Sequence, residues 1–506
     1  MVNLLTDGAI AVRPDRRVSL PQLFAAMARG EVTEFPSLRA HQRAPWHMFL
    51  VQLAALALWR AGQRQLPQQS GAWAGMLRGL VPGYPGDAPW RLVAREPDLP
   101  AFLQTPDPGG LKWNAIETPD ALDVLISARN HDVKRAVNRR ATAEDWILAL
   151  VSLQTMSGYG GNGKNGIARM NGGYASRPLV GLAPGRGGGD LSVDPSAWWA
   201  RDVGRLLEQR AAGEGASRGP VGGPGALWCL DWPEGEQLDL ASLDPWFIEV
   251  CRRVRLVEKD GRFVAFTSTS RAARIDARRR RGDTGDPWAP VHGKERKSLT
   301  VGEAGFDYPK LCELLFSGEW VLPVLAQRGE GEQGRDMVLV AEALSRGPGK
   351  TEGLQSRIVA MPPGTMLPPP SDTAGETRAQ MEEIDIFQRA LRYSLALAAA
   401  GGDSEAVQTK HFARAREAKG RLHDAADRMF FPCLRRRFEE EADARFEFLE
   451  TLWSVTRREF AMALPGMRCP ATKRARAHAR AEGALANMVR RKFPELFEHG
   501  LKSPRV

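Results

Sequence analysis

The chain has 506 residues, of which 43% are hydrophobic and 26% are charged. This composition is typical of a globular protein with a buried core, which excludes a fibrous or largely disordered chain, and the length predicts about three domains or one large and one smaller domain. Lysines and arginines number 70 against 60 aspartates and glutamates, a net charge of +10. Such a surplus attracts polyanions, so nucleic acid is the first partner to consider, with a simple role in solubility as the alternative.

The cysteines and the apolar segments indicate a cytoplasmic protein without a membrane partner. Five widely spaced cysteines without a Cys-x-x-Cys pair argue against a disulfide framework and a structural zinc site. No basic region followed by an apolar run resembles a secretory signal. The longest apolar stretch, residues 48–59, is shorter than the ~20 residues that a membrane span needs and is predicted to form a buried helix.

Residues 1–360 are predicted to form a mixed α/β domain. Short runs of β-forming residues, at 263–266 and 337–340, alternate with a helical pattern at 143–153 and with loops rich in glycine and proline. The following residues 361–372 contain the run Pro368 to Pro370, and because proline fixes φ and lacks an amide donor, they predict a stiff linker.

Residues 373–506 change to helical periodicity. A capping box at Thr373 and Glu376 predicts the start of the first helix, and three further helices are predicted at about residues 404–431, 434–463 and 471–492, the second ending at Pro432. Four amphipathic helices joined by short breaks pack economically as a four-helix bundle. The predicted fold class is therefore α+β, a large mixed α/β N-terminal domain followed by a C-terminal four-helix bundle.

Two basic clusters are candidates for binding phosphate groups. The first is a run of adjacent arginines, which repel one another unless they are solvated or lie opposite phosphates: Arg278, Arg279, Arg280 and Arg281. The second is the positive face of the fourth predicted helix, which includes Lys473, Arg476 and Arg480. The sequence is equally consistent with a basic face that is solvated and with one that contacts phosphates.

The most unusual segment is the glycine loop, residues 158–166, with Gly172 and Gly173 soon after. Glycines let a backbone approach a ligand closely and expose its amide donors, which suits phosphates or a nucleic-acid groove. The loop also has Gly158, Gly163 and Lys164 at P-loop spacing, but Asn165 stands where a serine or threonine would hold magnesium, and a helical pattern rather than a strand precedes it. An NTPase that uses Lys164 remains an alternative.

Other catalytic patterns are missing from the sequence. The eight histidines show no His-Glu-x-x-His and no clustered spacing, and there is no Gly-x-Ser-x-Gly elbow. We therefore predict no catalytic residue, no metal site and no cofactor.

Several segments, in order along nearly the whole chain, resemble the CasA family, the large subunits of type I-E CRISPR Cascade complexes. They are residues 3–5 and 11–14, the glycine loop at 158–161, the Gly-Asp-Pro-Trp-Ala-Pro block at 285–290, the turn at 347–353 and the helical C-terminus. The resemblance implies a non-catalytic subunit that binds crRNA and the other Cascade subunits. It implies recognition of the protospacer-adjacent motif in target double-stranded DNA, mainly from the minor groove, help in opening the strands, and docking of a helicase-nuclease.

The resemblance also implies which residues contact the DNA motif. Gly158, Tyr159, Gly160 and Gly161 match the family's glycine loop, whose bare backbone can enter a narrow groove. A basic finger corresponds to Arg271 or Arg274, and a loop that contacts the crRNA handle and the motif region corresponds to residues 128–135, within which we select Asn130. The family's wedge, often a glutamine, corresponds to Pro348, Gly349 and Lys350. A purely structural docking subunit with incidental charge is the second alternative.

Overall fold

The computed structural model describes residues 2–124, 140–187, 189–213, 220–347, 350–361 and 371–498. The chain divides into two compact units: an N-terminal unit of Met1–Phe306 with Glu313–Pro368, and a C-terminal unit of Asp307–Cys312 with Pro369–Val506. The first combines helices with small sheets and the second is helical, which confirms the predicted fold class. Of the predicted linker, residues 362–370 lie outside the described ranges.

Helices of the N-terminal unit surround one apolar core. They are α1 (Leu20–Ala28), α2 (Arg43–Arg60), α3 (Ser70–Gly79), α4 (Ala143–Met156) and α5 (Pro195–Ala211), and the next helix, α6 (Tyr308–Phe316), contributes residues to both units. Helix α2 is buried on all sides from Ala44 to Leu58, as expected of a helix with apolar residues around its whole circumference. This confirms the buried helix predicted at residues 48–59. Within the described ranges, none of the helices has the length and apolar character needed to cross a membrane.

The strands form small, mainly antiparallel sheets. They are β1 (Ile10–Val12), β2 (Arg16–Val18), β3 (Asn114–Ile116), β4 (Leu179–Pro184), β5 (Leu238–Asp239), β6 (Arg253–Lys259), β7 (Arg262–Ser268), β8 (Ile275–Asp276), β9 (Val291–His292), β10 (Trp320–Val321), β11 (Met337–Gly347) and β12 (Lys350–Met361). Strand β11 lies between β12 and β4, and β7 lies between β3 and β6. The predicted strands at 263–266 and 337–340 are confirmed as parts of β7 and β11.

A buried ion pair holds the Asp-Pro-Trp block against β4. The Arg177 guanidinium donates two hydrogen bonds to the Asp286 carboxylate, at 2.5 and 2.6 Å, with both side chains almost fully buried. The Trp288 amide donates to the same carboxylate, and the Trp288 carbonyl accepts from the Val180 amide of β4 at 3.0 Å. The block is therefore fixed by a charged anchor inside the core rather than by surface contacts.

The helices of the C-terminal unit are α7 (Ser371–Ala399), α8 (Thr409–Ala413), α9 (Arg416–Phe438), α10 (Ala444–Ala463), α11 (Arg474–Arg490) and α12 (Glu495–Glu498). The long helices α9, α10 and α11 each pack against α7. Each helix buries apolar side chains spaced three or four residues apart, such as Leu391 and Leu395 of α7, Leu449 and Leu452 of α10, and Ala481 and Leu485 of α11. The four predicted helices thus pack as a bundle, with α8 and α12 as short additions.

Several predicted helix boundaries in this unit are wrong. Helix α9 begins at Arg416 and continues through Pro432 to Phe438, and α10 begins only at Ala444. A proline inside a helix loses one backbone hydrogen bond, but here Phe430, Phe431 and Leu434 on either side of it are buried, and tertiary packing offsets that loss. Helix α7 begins at Ser371, so the predicted Thr373 cap lies inside it. Helix α11 begins at Arg474, after a short 3-10 turn at Ala471–Lys473.

We expect Arg177→Met to lower the free energy of unfolding of the N-terminal unit by about 3–5 kcal/mol, because it leaves the Asp286 carboxylate buried without its partner. The control, Arg16→Met, breaks an exposed pair with Glu31 and should cost at most ~1 kcal/mol. Thermal unfolding of the two variants and the parent chain measures the difference.

Arg177→Met should also change how the free energy of unfolding depends on pH. Burial raises the pKa of the Asp286 carboxyl, but the charge and hydrogen bonds of Arg177 lower it further, so that the pKa lies below its ordinary value. The pair therefore stabilises the fold above the unfolded pKa of ~3.9, and this contribution is lost as pH falls through the lowered folded value. In Arg177→Met burial raises the pKa of the Asp286 carboxyl, so protonation in acid removes the unpaired buried charge. The loss of unfolding free energy relative to the parent chain should therefore shrink as pH falls. A loss that is constant with pH would contradict this account.

Candidate nucleic-acid interface

The glycine loop forms one wall of an open cleft of about 1050 Å³ in the N-terminal unit. The segment 271–281 lies across the cleft from it, and residues 167–173 complete the lining. The lining includes residues that the sequence analysis selected separately, from the glycine loop, the basic finger and the arginine run: Gly158, Tyr159, Arg271, Arg278 and Arg281. The tertiary structure therefore brings three candidate elements, more than 100 residues apart at the extremes, to one surface.

Main-chain hydrogen bonds fold the glycine loop into a closed turn after α4 ends at Met156. The Tyr159 amide donates to the Gly173 carbonyl, the Gly160 amide to the Lys164 carbonyl and the Lys164 amide to the Gly161 carbonyl, at 2.8–2.9 Å. The Gly163 carbonyl accepts from the Ser270 amide, which joins the loop to the segment that follows β7. The loop is thus a defined turn tied at both sides.

Three of the loop's glycines are required by packing inside the protein. A Cβ atom on Gly158 would lie 2.0 Å from the Ala175 carbonyl oxygen, and one on Gly166 would lie 2.9 Å from the carbonyl carbon of Gly158. Gly163 has a φ of +70°, and a Cβ there would lie 2.5 Å from the Cβ of Thr269. These positions admit only glycine because backbone or a branched side chain occupies the space.

Gly160 and Gly161 are different, because their surroundings are more open. A Cβ atom on Gly161 would have no atom within 4 Å, and its φ of +115° is one that other residues rarely adopt. At Gly160 the nearest atoms are the far end of Arg252 and the side chain of Lys164, at 3.2 and 3.3 Å. Gly160 is exposed and Gly161 is half-exposed, so these two glycines carry the part of the loop's main chain that an external ligand can reach.

Tyr159 adds an aromatic ring to the loop side of the cleft. The ring is partly exposed and packs edge-on against Tyr174, with 5.5 Å between the ring centres. This contact fixes the ring beside the glycines while leaving part of it open to the cleft.

The two candidates for the basic finger differ in exposure. Arg271 is exposed at the cleft, and its main-chain amide donates to Glu234 at 2.6 Å. Arg274 is buried: its guanidinium donates to the Asp231 and Leu230 carbonyls at 2.9 and 3.0 Å, and burial lowers its pKa to about 10. In this structure Arg274 is a core residue, which leaves Arg271 as the arginine that can reach a ligand.

The arginine run lies at the rim of the same cleft. Arg278–Arg280 form an exposed 3-10 turn, and Arg281 follows with a φ of +51°. The next residue, Gly282, packs so closely on the main chain at Met170 that a Cβ would lie 2.6 Å from it. Within the described residues, no carboxylate lies at ion-pair distance from the four arginines Arg278, Arg279, Arg280 and Arg281. The run thus presents positive charge that the protein itself does not neutralise.

Sequence reasoning missed two residues of this site. Arg252 donates to the Gly158 carbonyl at 2.6 Å from beneath the loop, and Asn171 lines the cleft beside Arg281. A single arginine and a single asparagine carry no signal in a sequence, because only the fold brings them to the glycine loop.

Other predicted motif contacts fall partly outside the described residues. Asn130, Pro348 and Gly349 lie outside them. Lys350 begins β12, where the hairpin places it opposite Gly347, the last residue of β11.

The basic face of α11 belongs to the C-terminal unit. Arg480 donates to the Gly402 carbonyl at 2.9 Å, and Lys473 is exposed with its aliphatic part beside Gly401. Arg476 is exposed, and no carboxylate among the described residues pairs with it. On this face Arg480 is bonded to the protein's own main chain, whereas the charge of Arg476 is free to bind an anionic ligand.

The geometry around Lys164 does not match a P-loop. The loop follows helix α4 rather than a strand, and turns rather than a helix follow it at residues 168–170. A P-loop requires the order strand, loop, helix, because the helix N-terminus holds the phosphates. In addition, the described residues contain no group of three or more His, Cys, Asp or Glu side chains that could hold a metal ion.

We expect Gly158→Ala to disrupt the glycine loop, because the new methyl group would collide with main-chain atoms that cannot rotate away. Overpacking of this kind costs about 3 kcal/mol of unfolding free energy. The control is Gly172→Ala, where φ is +76° but the space is open, so that only the backbone cost of ~1–2 kcal/mol applies. Thermal unfolding and amide exchange of residues 158–166 measure both, and equal effects would contradict the packing argument.

Comparison with protein-family models gives no match, and no curated protein sequence matches the chain. Solved structures do match. Cse1 from Acidimicrobium ferrooxidans matches with a TM-score of 0.66 and 15% identity over 98% of this chain and 99% of that one. CasA from Thermus thermophilus matches with 0.64 and 14% over 96% and 99%, and a chain of a CRISPR RNA-guided surveillance complex with 0.55 and 13% over 96% and 99%. The chain therefore has the CasA/Cse1 fold over nearly its whole length, which confirms the fold that the sequence resemblance implies.

Proposed function

We propose that this chain is the large subunit of a type I-E Cascade complex and recognises the protospacer-adjacent motif of target double-stranded DNA. The observation that supports this most directly is the cleft in which the glycine loop faces Arg271, Arg278 and Arg281, on a chain with the CasA/Cse1 fold. Such a cleft offers main chain of the glycine loop together with exposed positive charge, with Asp276 as the one carboxylate among the described residues of its lining.

The two kinds of group have different roles in recognition. Arg271 and the arginine run bind backbone phosphates, which sets the position and orientation of the duplex without reading its sequence. The main chain at Gly161 then enters the minor groove, where only a narrow element fits and where the pattern of donors and acceptors is degenerate. We therefore expect the subunit to accept several related motifs.

The remaining parts of the proposal concern strand opening and partners. The residues that join β11 to β12, Pro348 and Gly349, with Lys350 at the start of β12, insert beside the motif and start strand separation, and crRNA pairing reads the rest of the target. The basic face of α11 binds the displaced strand through Arg476 and its neighbours. A helicase-nuclease that docks on the complex then cuts the DNA, and the chain itself is not an enzyme.

The direct test is to assemble the chain with crRNA and its partner subunits and to measure binding to duplexes that differ only beside the protospacer. We expect the parent complex to discriminate among the flanking sequences. Equal binding of all of them would support the structural docking subunit instead. ATP turnover that is lost in Lys164→Ala would support the NTPase.

We expect Arg271→Ala to weaken binding of the preferred duplex about tenfold or more, because a hydrogen bond to a charged group such as a phosphate contributes ~1.5–3 kcal/mol. The control is Arg95→Ala, an exposed arginine of the same unit that does not line the cleft. A titration of each assembled complex with labelled duplex measures the dissociation constants. If the two variants bind alike, Arg271 does not contact the DNA.

We expect Arg476→Ala to weaken binding of the displaced strand without changing discrimination among flanking sequences. Loss of one phosphate contact on a single strand reduces the slope of log Kd against log salt concentration by about 0.7. The control is Arg389→Ala on α7, an exposed arginine whose charge is paired with Asp385. A salt titration of strand binding distinguishes them, and unchanged slopes in both would favour a solvated surface.

A further inference from the structure

Arg252 lies directly beneath the glycine loop, immediately before β6. Its side chain is almost entirely buried, and its guanidinium donates to the Gly158 carbonyl at 2.6 Å and to the Ser157 hydroxyl at 3.3 Å. The second terminal nitrogen contacts the carbonyl and the sulfur of Cys251 at 3.4 Å. One side chain thus joins the end of α4 and the start of the loop to the beginning of β6.

The charge of Arg252 is not neutralised by an ion pair. Within the described residues, no carboxylate lies at ion-pair distance from it. The buried carboxylate of Glu249, which is close enough to sense this charge, instead accepts the Ala168 amide with both oxygens at 2.9 Å. The guanidinium therefore makes its short bond to a neutral carbonyl, and charge-assisted bonds of this kind are shorter and stronger than neutral ones.

The position of the guanidinium also limits the loop from below. A Cβ atom on Gly160 would lie 3.2 Å from Nη2 of Arg252, so the guanidinium occupies the space beside Gly160 that a side chain would need. Gly161, with open space around it, follows directly. The Arg252 guanidinium is therefore next to the exposed part of the loop as well as bonded to its first carbonyl.

We propose that Arg252 is the positioning residue that sets the discrimination among flanking motifs, by holding the Gly158 carbonyl and supporting the Gly160–Gly161 main chain from beneath. This inference rests on the proposed function of the cleft. A main-chain reader distinguishes base edges only if its donors and acceptors are fixed to within a fraction of an ångström, since hydrogen bonds weaken steeply with distance and angle.

The chain offers a matched control on the neighbouring strand β6. Arg255 is as buried as Arg252, is likewise bonded to main-chain carbonyls, of Leu99, Thr105 and Glu96 at 2.9–3.3 Å, and does not contact the glycine loop. Arg255→Gln therefore removes the same chemical group at the same depth. If discrimination among flanking sequences falls because the protein is destabilised, it falls in both variants. If it falls because the glycine loop is no longer positioned, it falls only in Arg252→Gln.

The experiment uses the complex assembled with crRNA and partner subunits, carrying the parent chain, Arg252→Gln, Arg252→Lys or Arg255→Gln. Two binding constants are measured: one for a single-stranded target, which needs only base pairing, and one for each of several duplexes that differ beside the protospacer. We expect Arg252→Gln to keep parental affinity for the single strand but to lose about tenfold in the ratio between the best and the worst duplex, the effect of one charge-assisted hydrogen bond. Arg252→Lys, which keeps a charged donor, should recover part of the ratio.

The outcomes separate this inference from the proposed function. If the parent complex discriminates and Arg252→Gln discriminates equally well, the inference is wrong and the proposed function stands. If the parent itself binds all duplexes alike, the proposed function is wrong, and the inference falls with it. If Arg252→Gln and Arg255→Gln lose discrimination equally, Arg252 acts only through stability, which also overturns the inference.

A second measurement covers the case in which Arg252→Gln does not assemble. Ser157→Ala removes one acceptor of the same guanidinium, together with the hydroxyl that donates to the Gly158 carbonyl at 3.2 Å, and leaves the buried charge in place. We expect a smaller loss of discrimination in this variant, together with faster amide exchange at Gly160 and Lys164 in the free chain. Parental exchange and parental discrimination in both Ser157→Ala and Arg252→Lys would overturn the inference.

Discussion

The absence of a side chain at Gly158 is the constraint on which the cleft depends. There the main chain passes so close to the carbonyls of Ala175 and Gly173 that no other residue fits. This contact directs the chain from the end of α4 into the glycine loop and places the loop beside residues 172–173. The Gly158 carbonyl then points to Arg252, so the same close approach determines where the buried guanidinium binds.

The arginines of the N-terminal unit differ in how their charge is held: some are buried in ion pairs, some are buried against main-chain carbonyls, as Arg252, Arg255 and Arg274 are, and those at the cleft are exposed. In the core, Arg177 pairs with Asp286, Arg201 with Glu332 and Arg210 with Asp244, so that each of these buried charges is compensated. At the cleft, Arg271 and the run at 278–281 are exposed and draw no such compensation from the described residues. The cleft thus has exposed positive charge that an anionic ligand can reach.

Glycine content alone does not show which part of the loop is packed and which part is open. All of the loop's glycines have the same signature in a sequence, namely an unusual density of residues without Cβ. The structure separates them. At Gly158, Gly163 and Gly166 other atoms of the protein fill the space that a side chain would need, whereas at Gly161 that space is open. The same holds for Arg271 and Arg274, three residues apart, of which one is exposed and the other buried over Trp232. Burial depends on neighbours distant in the chain, which a local pattern does not contain.

Periodicity and composition by themselves determined the fold class, the buried helix α2, the strands β7 and β11 and the helical character of the C-terminal part, because each depends on a repeating local pattern. They did not determine where helices end, since Pro432 is carried inside α9 by the burial of its neighbours. Only the tertiary structure decided that the glycine loop, Arg271 and the arginine run share one cleft and that Arg252 lies beneath it. The physical reason is that these contacts join segments about 100 residues apart, whose meeting is set by the packing of the whole core.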